Sequence, residues 1–191
     1  DFQQAVAALK YAPVPVVGAP SGLSLGGGFE VLLHCDCLLT HANSVLGLVE
    51  SGVGVVPGGG GVKTTYQRWY EASQDPKIAA WETWMQVGYG KTGESPEQAT
   101  KLRYFQPDKD KTVMNRDKLI TQATEMLTKM APNYTPPKPP KMTLPGKALL
   151  SKMDSFMSVG VNKGWFKPHN KTPAMEIAKI VINTRSDETL D

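Results

Sequence analysis

Two glutamates lie among apolar and glycine residues, where burying a carboxylate costs free energy unless the group has a function. Glu30 follows the glycine triplet 26–28, and Glu50 lies between the apolar run 45–49 and the glycine-rich stretch 52–61. Paired carboxylates supply general acid and base chemistry, and glycine turns expose N–H groups that stabilise a developing oxyanion. The pattern predicts proton transfer beside backbone donors. Taken singly, each glutamate also fits an ordinary surface residue, and the triplet fits an ordinary tight turn.

The elements that must position these residues alternate between strand and helix. Residues 14–19 form a continuous apolar run typical of a buried strand, and residues 26–28 permit a turn into a short helix. Strand character returns at 37–39 and again at 45–49. This order is typical of an α/β protein.

The rest of the chain is predicted to be mainly helical. Ser95 is a predicted N-cap, with Pro96 at the first helical position and Gln98 placed to close a capping box. A further helix is predicted from about Asn115. The apolar stripes are Val62, Tyr66, Trp69 and Tyr70; Ile78, Trp81 and Met85; Leu119, Ile120, Ala123, Met126, Leu127 and Met130; Leu149, Leu150, Met153, Phe156 and Met157; and Met175, Ala178, Val181 and Ile182.

Residues 132–145 contain six prolines, which predicts an extended linker. We therefore predict three parts. Residues 1–131 form a partial α/β core with its trailing helices, residues 132–146 the proline-rich linker, and residues 147–191 a C-terminal helical region. The chain also opens at Asp1 within an amphipathic pattern, which we take as the start of a piece cut from a longer protein.

Composition excludes several classes of protein. The formal charge of +3, from 21 basic and 18 acidic residues among 191, is too mild to indicate nucleic-acid binding. Apolar runs stay well below the roughly 20 residues that span a bilayer. Cys35 and Cys37 are poorly spaced for a mutual disulfide, which favours a reducing compartment, and we predict a cytoplasmic protein.

Two binding motifs are considered and rejected. The cluster 58–61 followed by Lys63 superficially resembles a phosphate loop, but Val62 occupies the position before the lysine where glycine is needed. The His and Cys residues between 34 and 41 match no usual zinc spacing, so they are interpreted as core and strand-end residues. The tryptophans, at helical spacing, are interpreted as core or subunit contacts rather than a stacking platform.

The runs 20–30, 34–36, 46–50 and 54–58 together resemble the enoyl-CoA hydratase/isomerase (crotonase) superfamily, and residues 91–99 are similar to the family's helix after the active site. The resemblance implies an α/β fold of the truncated crotonase type, built from ββα units, with an α-helical C-terminal region.

The resemblance also implies catalytic and substrate-binding roles for individual residues. The Gly27 amide would be one half of an oxyanion hole for the thioester oxygen. Glu30 would mainly activate the water that adds to a 2-enoyl-CoA, and Glu50 would mainly supply the proton. Gly28 would lie at the substrate, and Gly58 would offer an amide to the water.

More narrowly, residues 114–117, 134–137 and 144–146 resemble the hydratase-like region of long bifunctional 3-hydroxyacyl-CoA dehydrogenases. This implies a lyase of fatty-acid β-oxidation that needs no cofactor here, since NAD would bind a dehydrogenase domain outside this chain. The other oxyanion amide, and much of the CoA surface, would come from sequence before residue 1. We therefore expect the isolated chain to be weakly active or inactive.

Two alternatives stay open. One is an enoyl-CoA isomerase, although isomerases of the family commonly keep only one of the two carboxylates. The other is a non-catalytic scaffold whose helical tail mediates assembly. The expected partners are an acyl-CoA thioester, the dehydrogenase domain and copies of the chain in a trimer-type oligomer, with no metal, nucleic acid or membrane span.

Overall fold

The computed structural model describes residues 1–182, which fold into two compact units that each combine separate stretches of chain. The first unit comprises Asp1–Leu48, Gly58–Gly61 and Thr92–Lys138, and the second comprises Val49–Pro57, Val62–Lys91 and the described part of Pro139–Asp191. The units do not coincide with the three parts expected from sequence. That division stays a prediction, and its last residues, 183–191, lie outside the described part.

Strands and helices alternate in the first half of the chain, and helices dominate the second. The strands are β1 (Val17–Gly18), β2 (Leu23–Leu25), β3 (Cys37–His41), β4 (Val45–Gly47), β5 (Thr92–Gly93) and β6 (Lys111–Val113). The helices are α1 (Phe2–Lys10), α2 (Gly27–Leu33), α3 (Gly61–Ser73), α4 (Pro76–Gly88), α5 (Pro96–Lys101), α6 (Leu119–Met130), α7 (Ala148–Asn162) and α8 (Lys171–Ile182).

The first unit contains a parallel sheet in the order β1-β3-β6, with Val17 paired to Cys37 and Leu39 to Lys111. Helix α6 lies against β1 and β3. Its Leu119 and Ala123 are buried in a cluster with Leu39 of β3 and Val113 of β6. Burying apolar side chains in this way stabilises the sheet by roughly 25 cal/mol per Å² removed from water.

A second sheet in the same unit leads into helix α2. Strand β4 pairs in parallel with β2 and antiparallel with β5. Beyond the last β2 residue, the N–H of Gly26 donates to the carbonyl of Gly47 at 2.9 Å, so the ladder continues to the first residue before the helix. Gly26 has a φ of +58°, a conformation that favours glycine, and the chain turns there into α2.

In the second unit, α8 packs on α4 and α7. The indole N–H of the buried Trp84 donates to the carbonyl of Ala174 at 2.8 Å, which fixes α4 to α8. Of the predicted stripe, Trp81 packs against Trp84 and Phe156. The prediction is wrong for Ile78, which is 48% exposed while Ala80 and Trp84 are buried. Contact with α8, absent from any local pattern, decides which face of α4 is inside.

Two further local predictions, for the start of α5 and the length of the first strand, have different outcomes. Ser95 is confirmed as the N-cap of α5 and accepts from the Gln98 N–H, although the Gln98 side chain accepts from the Glu94 N–H rather than from the cap. The first strand is shorter than predicted, because Val14 is exposed and the Val16 N–H turns to the Asp36 carboxylate instead of a neighbouring strand. None of the helices within residues 1–182 combines the length and the apolar character needed to span a membrane.

Candidate active site

The Glu30 carboxylate is buried and held by main-chain donors. Glu30 lies on α2, and only 2% of its surface is exposed. Its Oε1 accepts hydrogen bonds from the N–H groups of Gly59 and Gly61, each at 2.8 Å. These two bonds orient the carboxyl group and satisfy a buried oxygen that would otherwise be costly. Both fall on Oε1, so Oε2 is the oxygen available to a reacting group.

Glycine is sterically required in the loop that supplies these donors. A Cβ at position 61 would lie 2.9 Å from Oε1 of Glu30 and 3.0 Å from a Leu48 methyl carbon, and a Cβ at position 59 would collide with the ring of Phe2. Between them, Gly60 has a φ of +91°. The second glycine cluster is therefore a close-fitting backbone clamp on Glu30.

His34 lies beside the same loop. Its Nδ1 is 2.7 Å from the Glu30 carbonyl oxygen, and since a carbonyl only accepts, Nδ1 carries the proton. A Cβ placed on Gly60 would lie 3.4 Å from Nε2, so the imidazole is in near contact with the loop backbone. His34 is 8% exposed. It thus supports both the helix that bears Glu30 and the loop that holds its carboxylate.

Gly27 and Gly28 are the first two residues of α2. The opening N–H groups of a helix have no intrahelical acceptor, which leaves them available to another acceptor. The ring of Phe2 lies 3.6 Å from the position a Cβ on Gly27 would take, whereas a Cβ on Gly28 would meet nothing within 4 Å. Phe2 therefore borders both the Gly27 turn and the Gly59 loop.

Glu50 belongs to the second unit. It begins the 3-10 turn Glu50–Val53, which closes at Gly54 in a left-handed conformation with a φ of 83°. Both of its carboxylate oxygens are shielded from solvent. The next residue, Ser51, donates its hydroxyl to the carbonyl of Val87 at 2.8 Å, which fixes the turn to the end of α4.

Some of the predicted site residues thus lie close together in the structure, and residues that were not predicted lie beside them. Glu30 meets the loop that contains Gly58, and a Cβ on Gly58 itself would face open space. Sequence reasoning missed Gly59, Gly61 and His34. A run of four glycines signals a close backbone approach, but nothing in it indicates which amides face the carboxylate.

This arrangement suits proton transfer. A buried carboxylate fixed by two backbone donors is a positioned base, and the helix start next to it offers N–H groups for an anionic oxygen. Among the described residues 1–182, no three or more His, Cys, Asp or Glu side chains gather as a metal site would require.

Known proteins resemble this chain in sequence. A family model described as enoyl-CoA hydratase/isomerase matches residues 1–72, which contain both glutamates and both glycine turns. A "Probable 3-hydroxyacyl-CoA dehydrogenase" of Bacillus subtilis is 33% identical over 181 residues, which cover 94% of this chain and 23% of that protein. The mitochondrial methylglutaconyl-CoA hydratase of Mus musculus is 45% identical over 51 residues, covering 27% of this chain and 16% of that protein.

The fold has matches among solved structures. The crystal structure of an enoyl-CoA hydratase from Bacillus anthracis superposes with a TM-score of 0.54 at 22% identity, covering 96% of this chain and 60% of that chain. This likeness concerns the fold, and the chain spans about a quarter of the length of the Bacillus subtilis relative. The family match over residues 1–72, the Bacillus subtilis relative and the fold together support the assignment of this chain to the enoyl-CoA hydratase/isomerase (crotonase) superfamily.

Proposed function

We propose that this chain is the hydratase region of a fatty-acid β-oxidation enzyme, which adds water across the double bond of a 2-enoyl-CoA. The observation that carries the proposal is the buried Glu30 carboxylate, fixed by the N–H groups of Gly59 and Gly61 within the segment that matches the family. A carboxylate held in this way has one oxygen oriented by the protein and the other free to take a proton from water.

In the proposed reaction, Glu30 removes a proton from water as the water oxygen bonds to C3. The π electrons of the double bond move onto the thioester oxygen, where the Gly27 amide stabilises the negative charge. Glu50 then gives a proton to C2, and the thioester carbonyl re-forms. Gly28 lies beside the substrate and Gly58 orients the water. Loss of one oxyanion donor typically costs about 3 to 4 kcal/mol of transition-state stabilisation.

We further propose that this region works within a 3-hydroxyacyl-CoA dehydrogenase polypeptide. Hydration of a 2-enoyl-CoA produces a 3-hydroxyacyl-CoA, which is the substrate that the name of the Bacillus subtilis relative implies for a dehydrogenase. NAD would bind that other part, and the hydratase chemistry itself needs no cofactor. A cytoplasmic location and a trimer-type assembly complete the proposal.

The test is the loss of enoyl absorbance from a short 2-enoyl-CoA. We expect weak activity for the 191-residue chain and clear activity for a polypeptide with the preceding sequence restored. In the longer polypeptide, Glu30→Gln and Glu50→Gln should each lower kcat by about a hundredfold or more. If both variants keep full activity, a scaffold role replaces the proposal. If 3-enoyl-CoA is converted to 2-enoyl-CoA without water addition, the isomerase replaces it.

A further inference from the structure

His34 is a buried titratable residue to which the proposed reaction gives no role. It directly follows helix α2 and lies one turn beyond Glu30. Its Nδ1 donates to the carbonyl oxygen of Glu30 at 2.7 Å in a buried hydrogen bond. This bond reaches the main chain of Glu30 and not its carboxyl group, so its effect on the proposed base is an effect on position.

The imidazole replaces a backbone hydrogen bond at the end of α2. In a continuing helix, the backbone N–H of His34 would donate to the carbonyl of Glu30. In the structure that N–H donates to the Val31 carbonyl at 3.1 Å, and the next N–H, of Cys35, donates to the Leu32 carbonyl at 3.1 Å. A buried carbonyl without a donor costs free energy. The side chain of His34 therefore completes the helical turn that bears Glu30.

The other edge of the same ring lies against the loop that holds the Glu30 carboxylate. A Cβ on Gly60 would lie 3.4 Å from Nε2 of His34 and 3.5 Å from its Cε1. On either side of Gly60, the N–H groups of Gly59 and Gly61 donate to Oε1 of Glu30, each at 2.8 Å. The imidazole thus occupies the space between the main chain of Glu30 and the loop that binds its side chain.

We propose that His34 is a positioning residue for hydration, which sets the separation of α2 from the glycine loop and so directs Oε2 of Glu30 at the water. The inference rests on the proposed function, in which Glu30 is the base. An apolar side chain in place of His34 would fill the space without a donor for the Glu30 carbonyl. Since a displacement of about 1 Å at a reacting group can lower a rate roughly a hundredfold, this hydrogen bond has a kinetic effect.

The kinetic test uses the polypeptide with the preceding sequence restored and a matched pair of variants. Asparagine places an amide N–H close to the position of Nδ1, whereas leucine has the same branched shape without a donor. We expect His34→Leu to lower kcat on a short 2-enoyl-CoA roughly tenfold to a hundredfold, with KM changed by less than about twofold. His34→Asn should recover most of the lost kcat. Both variants are assayed well below their measured melting temperatures, so that only folded protein is compared.

A spectroscopic test on the 191-residue chain does not depend on activity. The nitrogen chemical shifts of the His34 ring should show that Nδ1 carries a proton. The amide protons of Gly59 and Gly61 should resonate downfield because they bind a carboxylate, and His34→Leu should move both toward ordinary values. The Leu38 amide, which donates to the Asp110 carboxylate at 2.8 Å in the same unit, should keep its shift and serves as the internal control.

Three results would overturn the proposal. One is an Nδ1 without a proton in the unaltered chain. Another is equal kcat for His34→Asn and His34→Leu in an active polypeptide. The third is unchanged amide shifts of Gly59 and Gly61 in folded His34→Leu. If the unaltered polypeptide shows no hydratase activity, the proposed function fails, and the ring and amide shifts still decide whether His34 holds the Glu30 carboxylate in place.

Discussion

Gly61 approaches Glu30 so closely that no side chain fits between them. The Gly61 N–H donates to the Glu30 Oε1 at 2.8 Å, and a Cβ on the same residue would lie 2.9 Å from that oxygen. The hydrogen bond and the missing side chain are therefore two aspects of one contact. The orientation of the proposed base depends on the backbone path of its neighbour.

Gly61→Ala should destabilise the protein by about 1 to 3 kcal/mol, because the added methyl group displaces the buried carboxyl or the loop. The free energy of unfolding in urea measures the effect. Gly28→Ala is a matched control, since its Cβ would meet nothing within 4 Å and alanine is favoured over glycine in a helix. Equal stability of the two variants would contradict the close fit described for position 61.

Glu30→Gln and Glu30→Ala should separate the structural role of Glu30 from its chemistry. Glutamine keeps an oxygen that can accept from Gly59 and Gly61, whereas alanine leaves both buried donors without an acceptor. We expect Glu30→Ala to be less stable than Glu30→Gln by about 1 to 3 kcal/mol or more in thermal unfolding. Hydration should be lost in both. Similar melting temperatures for the two variants would show that the hydrogen bonds add little.

Tyr66→Phe should loosen the proline-rich segment. The Tyr66 hydroxyl donates to the Thr143 carbonyl at 2.6 Å, and burial raises the pKa of this tyrosine well above its usual range. Removing the hydroxyl should cost about 1 kcal/mol and speed tryptic cleavage at Lys141. Tyr70→Phe, on the neighbouring stacked ring, serves as the control. Unchanged cleavage in Tyr66→Phe would mean that other contacts hold the segment.

Cys37 should resist alkylation in the folded protein. Burial, together with the negative charges of Asp110 and Asp36, raises the pKa of the Cys37 thiol to about 11. At pH 8 this thiol stays protonated, and thiolate is the reactive form. We expect iodoacetamide, followed by peptide mass spectrometry, to modify Cys37 only after unfolding. Rapid labelling at pH 8 under native conditions would contradict this.

The raised pKa of the Cys37 thiol also affects the stability of the protein at high pH. An unfolded cysteine loses its proton at about pH 8.5, well before the folded Cys37 does. Between these two values the unfolded chain binds fewer protons, so the free energy of unfolding falls as pH rises through this window. The free energy of unfolding in urea should be lower at pH 10 than at pH 8 for the unaltered chain. The difference should be smaller for Cys37→Ala.

Local sequence patterns predicted the alternation of strand and helix around Glu30, because the glycine triplet and the apolar runs determine that part directly. They misplaced Ile78 on α4, where the contact between Trp84 and Ala174, 90 residues apart, fixes the buried face. They also identified Glu30 as a buried carboxylate but not its donors. The glycine run 58–61 offers several equivalent amides, and those of Gly59 and Gly61, on either side of Gly60 with its φ of +91°, face the carboxylate.

The hydrogen-bond donors to Glu30 are main-chain groups, which affects which amino-acid substitutions this protein can tolerate. Most substitutions leave a backbone N–H in place, so random mutation in the loop threatens the base mainly through crowding and rarely through loss of a donor. Proline is the exception, since it alone lacks the N–H. A saturation library at residues 59 and 61 should therefore sort by side-chain volume rather than by polarity or charge.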